Sequence, residues 1–325
     1  MGFNKTAMKR RLNLLILVPA LFSLAGCGAF SMGFLKRFSN TQENEETVKP
    51  EINVIILSGQ SNAVGCKNSQ YLIQSMGQEK YDEYKAGYED VKIAYNNWDC
   101  DYNSPNRTKT LQNTSNNNFV DVKLGQGNVP ANFGPEIGMA EELHVKFAKK
   151  LVIIKCACGA SNLNDDWADA NSDMFQNLKN FVHSRMFALA GGGYNPILRA
   201  FCWMQGEGDS YPNYWPYYYD NLVRFKANLD KEFLMYTENN NLPFIDAGIG
   251  AGTDPKTHID TWQYYKEVND CKKDFAALSA TNIYIDTIAE GLHSDQELND
   301  CVHYDSESQI KLGHLFAKAY EPFLK

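Results

Sequence analysis

Ser61 stands in the stretch VIILSGQSNAVG, Val54 to Gly65, directly after an apolar run. Two readings fit a hydroxyl at that place. It is a nucleophile held at the mouth of a sheet, or a polar residue in a strand-to-helix turn. A nucleophilic serine needs a base, and the base must come from elsewhere in the chain. Near the C-terminus, Asp300-Cys-Val-His303 sets a carboxylate and an imidazole three residues apart. In a loop or a helical turn these project to one side. The carboxylate can then hold Nδ1–H while Nε2 faces a nucleophile. The chain has 6 histidines, and any one alone reads as structural. The pairing with an aspartate, just ahead of a closing helix, singles out His303.

Two more polar clusters end apolar runs. CWMQGEGD, Cys202 to Asp209, crowds polar groups at a strand's C-terminal edge, where an α/β sheet binds ligands. Glu207 and Asp209 there suit an acid/base pair or a metal site. CACGASNL follows another run, and Gly159 at its turn lets a backbone N–H approach a ligand closely. Cys156 and Cys158 lack a second Cys/His pair at zinc spacing and read as core. Around Ser61 the Gly-Gln-Ser-Asn sequence is not the G-x-S-x-G elbow of α/β-hydrolases, which sits in mid-chain.

The elements that must position these residues follow from periodicity. Asn53–Ser58, Leu151–Ala157, Ile197–Met204, Pro243–Ile249 and Asn282–Thr287 are β-rich and continuously apolar, as in a parallel sheet covered on both faces. Helical patterns lie between and after them. GPEIGMAEELHVKFAKK places Ile137, Ala140, Leu143 and Phe147 on one stripe. YYYDNLVRFKANLDKEF does the same with Tyr218, Leu222, Phe225, Leu229 and Phe233. DTWQYYKEVNDCKKDF is a weaker helix, and SQIKLGHLFAKAYEPF closes the chain. The alternation predicts an α/β fold, a three-layer α/β/α sandwich around a mostly parallel five-stranded sheet. Residues 99–127 read as a long surface loop, and SYPNYWPYYY as an aromatic insertion.

The N-terminus reads as an export signal. Lys5, Lys9, Arg10 and Arg11 precede a short apolar core ending in Leu-Ala-Gly-Cys27. That resembles a bacterial lipobox, with Cys27 the lipidated residue. The expected organisation is a signal peptide over 1–27, a polar tether over 28–50, and one domain over 51–325. Lipid on Cys27 would hold the protein to a bacterial membrane, facing outward or into the periplasm. Without Cys27, seven of the 8 cysteines remain. Cys66 with Cys100, and Cys271 with Cys301, are conceivable pairs in an exported protein. A net charge of −8 and a pI near 5.3, with no basic patch beyond residue 40, argue against nucleic acid as a partner.

The blocks GQSN, CGASN with a following Trp, WMQGEGD and D-x-x-H, in that order, resemble the SGNH hydrolase superfamily. The resemblance is to its branch of sialate O-acetylesterases and carbohydrate esterase family 6, which includes acetylxylan esterases. It implies a serine esterase that needs no metal or cofactor, with Ser61 as nucleophile, His303 as general base and Asp300 orienting it. It implies an oxyanion hole of the Ser61 and Gly159 backbone N–H groups and the Gln205 side-chain amide. Gln60, Asn62, Glu207 and Asp209 would brace the turns. Trp167, Trp203, Tyr211, Tyr214 and Trp215 are candidate platforms for an acetylated oligo- or polysaccharide. Gly208 stands where a serine is usual, and Ala160 where a second glycine is usual.

Overall fold

The computed structural model describes residues 48–325 except Lys149 and residues 295–299. The expected signal peptide, Cys27 and most of the tether lie outside the described residues. Ten strands are formed among the described residues: β1 (Glu51–Gly59), β2 (Lys67–Asn68), β3 (Tyr88–Cys100), β4 (Lys109–Thr114), β5 (Val120–Val122), β6 (Asn132–Phe133), β7 (Leu151–Gly159), β8 (Asn195–Met204), β9 (Phe244–Ala247) and β10 (Asn282–Ile285). The α-helices are α1 (Ser61–Val64), α2 (Tyr71–Met76), α3 (Gln78–Ala86), α4 (Glu136–Leu143), α5 (Asp173–Gly191), α6 (Tyr218–Phe233), α7 (Tyr265–Ala276) and α8 (Ser306–Tyr320).

One sheet runs β10-β9-β8-β1-β7-β3-β4, with β5 also paired to β3. The six strands from β10 to β3 are parallel, and β4 and β5 join antiparallel. The predicted five strands are therefore present as β1, β7, β8, β9 and β10, inside a wider sheet of 8. The expected loop over residues 99–127 is corrected. It carries β4 and β5, which fold back on β3. The edge strand β4, Lys-Thr-Leu-Gln-Asn-Thr, stays largely exposed, so no buried apolar run announces it.

Val54, Ile55, Ile56 and Leu57 of β1 are wholly buried, because helices cover both faces of the sheet. Trp203 of β8 packs on Phe225 of α6, with ring centroids 4.7 Å apart. The neighbouring Cys202 faces Tyr320 of α8. Successive strand residues point to opposite faces, which places α6 and α8 on the two sides of the sheet. The chain leaves β1 toward β3 and β7, then returns to β8 on β1's other side. That reversal opens a crevice at the C-terminal end of β1. Register brings the three strand ends level, with Gly59 opposite Ala157 and Met204.

The helix that follows His303 is fixed by glycine. A Cβ on Gly313 of α8 would lie 2.2 Å from the Pro135 carbonyl oxygen, and one on Gly138 of α4 would lie 2.0 Å from that of Ile310. The two helices therefore touch backbone to backbone. Asp305 caps α8 by accepting from Ser308 N–H at 2.7 Å, two residues beyond His303.

Candidate active site

The end of β1 is pressed against the end of β8. Gly59 has φ +140°, and a Cβ there would sit 2.0 Å from the Met204 carbonyl oxygen, so only glycine fits. Gln60 N–H then donates to that oxygen at 2.9 Å. Ser61 opens the short helix α1, where a first-turn N–H has no partner within the helix. The flanking side chains turn inward. Gln60 Oε1 accepts from Gly208 N–H at 3.0 Å, from Gly206 N–H at 3.3 Å and from Gln205 Nε2 at 3.2 Å. Asn62 Nδ2 donates to Glu207 Oε1 at 2.8 Å. Asn62 Oδ1 accepts from Tyr304 N–H at 3.0 Å and from Gln309 Nε2 at 3.2 Å. Two amides beside Ser61 thus bind the loop after β8 and the segment bearing His303.

His303 Nδ1 lies 3.1 Å from Asp300 Oδ2, and Asp300 Oδ1 accepts from His303 N–H at 3.1 Å. Lys67 Nζ is 3.5 Å from Asp300 Oδ2. Burial opposes ionisation of Asp300, but His303 and Lys67 outweigh it and hold the carboxyl well below its usual range. Burial likewise pulls His303 down. The Asp300 carboxylate at Nδ1, with the Cys66 sulfur nearby, prevails, and the imidazole is held above its ordinary value.

A cleft of about 870 Å³ opens over these groups, and Ser61, Gly159 and His303 all line it. A second cavity of about 690 Å³ lies on the far side of the same segment, against Tyr304 and Asp305, and contains neither Ser61 nor His303. Gly159 meets Asp99, whose Oδ1 would lie 2.6 Å from a Cβ there. Ala160 adopts φ +53°, and Gly208 fits under it because a Cβ at 208 would be 2.3 Å from the Ser161 carbonyl oxygen. The two departures from the usual motif thus lie in adjoining loops. The left-handed turn at Ala160 leads into the segment that leaves no room for a side chain at 208.

Several expected site residues sit elsewhere than the sequence reading put them. Gln205 is fully buried and does not line the cleft. Its Nε2 donates to Asp209 Oδ2 at 2.5 Å as well as to Gln60, so this amide braces the turn instead of facing the cleft. Trp167 and Trp203 are also fully buried, packed edge to face with centroids 5.3 Å apart. Neither ring offers a face to a sugar. Trp215 stacks on Tyr264 at 5.8 Å and is not in the cleft wall. Tyr211 and Tyr214 do line it. Glu207 and Asp209 lie in the interior. Asp209 takes Leu163 N–H at 2.7 Å and Asn164 N–H at 3.3 Å, and burial pushes its carboxyl up to about 7. Burial raises Glu207 too.

The rest of the aromatic rim is missing from the sequence reading: Trp98, Tyr102 and Trp262. Trp262 meets Tyr211 edge to face at 6.2 Å. The only Lys or Arg among the described lining residues is Arg107. Its Nε and Nη2 donate to the two oxygens of buried Asp166 at 3.1 and 2.6 Å, and Lys109 Nζ reaches the same carboxylate at 2.8 Å. All seven described cysteines are free thiols, so neither conceivable disulfide is formed.

A parallel sheet with a serine after its central strand and an Asp–His pair before its last helix defines an SGNH-type hydrolase fold. A family model described as "Carbohydrate esterase, sialic acid-specific acetylesterase" matches residues 51–322. The chain belongs to that family and is a carbohydrate O-acetylesterase of it. No curated protein matches the sequence. Among solved structures, the chain is similar to NanS at 13% identity and TM-score 0.56, covering 85% of this chain and 98% of that one. It is also similar to a protein from Arabidopsis thaliana at 19% identity and TM-score 0.55, covering 85% and 100%. At those identities the likeness concerns the fold.

Proposed function

We propose that the protein removes O-acetyl groups from carbohydrate through a Ser61–His303–Asp300 triad. The observation that carries this reading is that Ser61 and His303 share one cleft while Asp300 Oδ2 engages His303 Nδ1 at 3.1 Å. That bond leaves Nε2 for the serine. His303 takes the hydroxyl proton as Ser61 Oγ attacks the ester carbonyl, and returns it to the departing sugar alkoxide. Water then hydrolyses the acetyl-enzyme by the same route. The Ser61 and Gly159 N–H groups are the oxyanion donors, and Gln205 keeps both turns in place from beneath. Loss of one such donor typically costs about 10²–10³ in rate.

Among acetylated sugars, a neutral glycan such as xylan is favoured over sialic acid or a muramic glycan. Arg107 is the one lining cation among the described residues, and Asp166 already engages it twice. A carboxylate-bearing sugar therefore finds little free positive charge. The lipobox motif supports a surface-tethered enzyme held through Cys27 and acting on a polymer outside the cell.

Residues 28–325 should release acetate from acetylated xylan faster than from acetylated sialic acid or acetylated muramic glycans. Ser61→Ala should abolish release while circular dichroism stays unchanged. Full activity in that variant would sink the mechanism, and binding of glycan without hydrolysis by the unaltered protein would point to a silent binder. Loss of membrane association in Cys27→Ala tests the tether.

A further inference from the structure

One carboxylate faces the cleft without a task in the mechanism above. Asp99 is the only Asp or Glu among the described lining residues, and it is exposed there. It stands next to last in β3, opposite Gly159 at the end of β7. Gly159 is not in the left-handed region, so its backbone alone does not demand glycine. What a side chain at 159 would strike is Asp99, because a Cβ there would lie 2.6 Å from Oδ1. The carboxylate thus takes up the space that the missing side chain leaves open beside an oxyanion donor.

Its neighbours aim this group and leave it unpaired. The pairing of β3 with β4 slips between Asn97 and Trp98, a bulge of the kind that adds twist and re-aims the side chains beside it. Trp98 and Asp99, successive on the strand, both reach the cleft. Arg107 and Lys109, on the returning arm of the β3–β4 connection, are both taken by buried Asp166. Asp99 has no salt-bridge partner among the described residues. The amide of Asn162, another lining residue, is likewise taken, by Asp165. Asp99 is therefore the free charge of the cleft wall.

An ionised carboxylate accepts hydrogen bonds more strongly than a neutral group does. A site built to take a hydroxyl discriminates against an analogue that lacks it. Trp98 beside Asp99, and Tyr102 three residues on, add ring faces that suit the C–H side of a sugar. Strand β3 is two places from β1, which ends at the Ser61 turn. At about 4.8 Å per strand, Asp99 lies about 10 Å from the line of β1. An acetyl group held at Ser61 is too short to reach it. A hydroxyl of the esterified sugar or of the next unit is not.

We propose that Asp99 is a specificity-determining residue of the cleft, whose carboxylate accepts a hydroxyl of a neutral glycan and repels a sugar that carries its own carboxylate. The proposal rests on the function proposed above and names what the same cleft recognises.

The test compares wild type, Asp99→Ala and Asp99→Asn on acetylated xylo-oligosaccharide, acetylated sialic acid and small aryl esters. In Asp99→Ala the ratio of kcat/KM on the oligosaccharide to that on aryl acetate should fall at least about 10-fold, through KM, as loss of a hydrogen bond to a charged group implies. Asp99→Asn keeps an acceptor oxygen without the charge. It should recover part of that ratio, and its preference for the oligosaccharide over acetylated sialic acid should narrow by about 3–10-fold. In the Ser61→Ala background, calorimetric titration with the oligosaccharide should show binding weakened by Asp99→Ala to the same degree. An unchanged ratio overturns the proposal. So does an equal loss on both substrates, which would mean that Asp99 only supports the Gly159 turn. A gain of activity on aryl butyrate would place Asp99 at the acyl end and overturn it too. Binding of the oligosaccharide that depends on Asp99, in a protein that cleaves no sugar ester, would overturn the function and leave this contact standing. Hydrolysis that needs Ser61 and is indifferent to Asp99 would do the reverse.

Discussion

Asn62 Nδ2 donates to Glu207 Oε1 at 2.8 Å across two loops that are 145 residues apart in sequence. The same side chain holds Tyr304 N–H, next to His303, at 3.0 Å. One amide thus ties the nucleophile turn, the loop after β8 and the base-bearing segment together. Removing it should leave a buried carboxyl and a buried N–H without partners. Asn62→Ala should cost about 2–4 kcal/mol of stability by that count of lost bonds. The folded fraction should also lose kcat more than KM, because the segment bearing His303 is no longer tied to the Ser61 turn. Urea denaturation beside single-substrate kinetics checks both. Wild-type kcat in a folded Asn62→Ala protein would contradict the positioning role.

Asp300 should set the pH profile as well as the rate. His303 acts as a base only when neutral, so kcat/KM should rise with pH through its pKa. Asp300 holds that pKa above the ordinary 6.5 against the pull of burial, so the rising limb should lie above pH 6.5. Asp300→Asn takes away the carboxylate that favours the imidazolium. The limb should move to lower pH while kcat falls by about 10²–10⁴, since the tautomer is no longer fixed. A pH–rate profile of both proteins reads the shift. A limb in the same place would mean that Asp300 does not face the imidazole in solution.

Much of this arrangement was legible in the sequence, and what was not has identifiable reasons. Ser61, Gly159 and His303, singled out by motifs near the ends of patterned elements and by the family those motifs resemble, line one cleft, and Asp300 meets His303. The stripe of α6 at Tyr218, Leu222, Phe225, Leu229 and Phe233 is buried as its spacing predicts. The helix α5 carries an equally readable stripe, Met174, Phe175, Leu178, Phe181, Val182, Met186 and Leu189, that a reading centred on the strands passes over. Strand β3 breaks its apolar positions with Glu, Asp, Lys and Asn, and β4 has one large apolar residue, so tertiary pairing makes them strands. Gln205 has the right residue type for an oxyanion donor. Which way an amide points depends on Gln60 and Asp209, and no spacing rule gives that.

The aromatic residues separate into two classes that a pair of substitutions can distinguish. Trp262 lines the cleft and meets Tyr211, whereas Trp203 is wholly buried between β8 and α6. Trp262→Ala should raise KM for an acetylated xylo-oligosaccharide by about 10-fold, the equivalent of 1–2 kcal/mol of lost contact. Hydrolysis of a small aryl acetate should change little. Trp203→Ala should instead lower stability by about 3–5 kcal/mol through the cavity it leaves. Thermal melts and the two substrates together make the comparison. An equal KM increase on both substrates for Trp262→Ala would remove it from the sugar platform.

Asp209 predicts an unusual trend of stability with pH. Its carboxyl is fully buried and, among the described residues, is met by N–H donors from Leu163, Asn164 and Gln205 and by no salt-bridge partner. Burial raises its pKa from 3.8 to about 7. A group with a folded pKa above its unfolded value binds more protons in the native state between the two. Stability from this group is therefore complete below pH 3.8 and is lost as pH rises toward about 7. The melting temperature should decline across that interval after allowance for the other buried carboxylates, Glu207 and Asp246, which burial raises in the same sense. Asp209→Asn cannot ionise and should flatten the decline. Its amide keeps one acceptor for the 163–164 turn but sets an NH₂ against a donor, so it should start from a lower melting temperature. Melts of both proteins from pH 4 to 8 would show the difference in slope. A wild-type curve that rises over the interval as steeply as that of Asp209→Asn would mean that Asp209 is ionised throughout and that the three donors outweigh its burial.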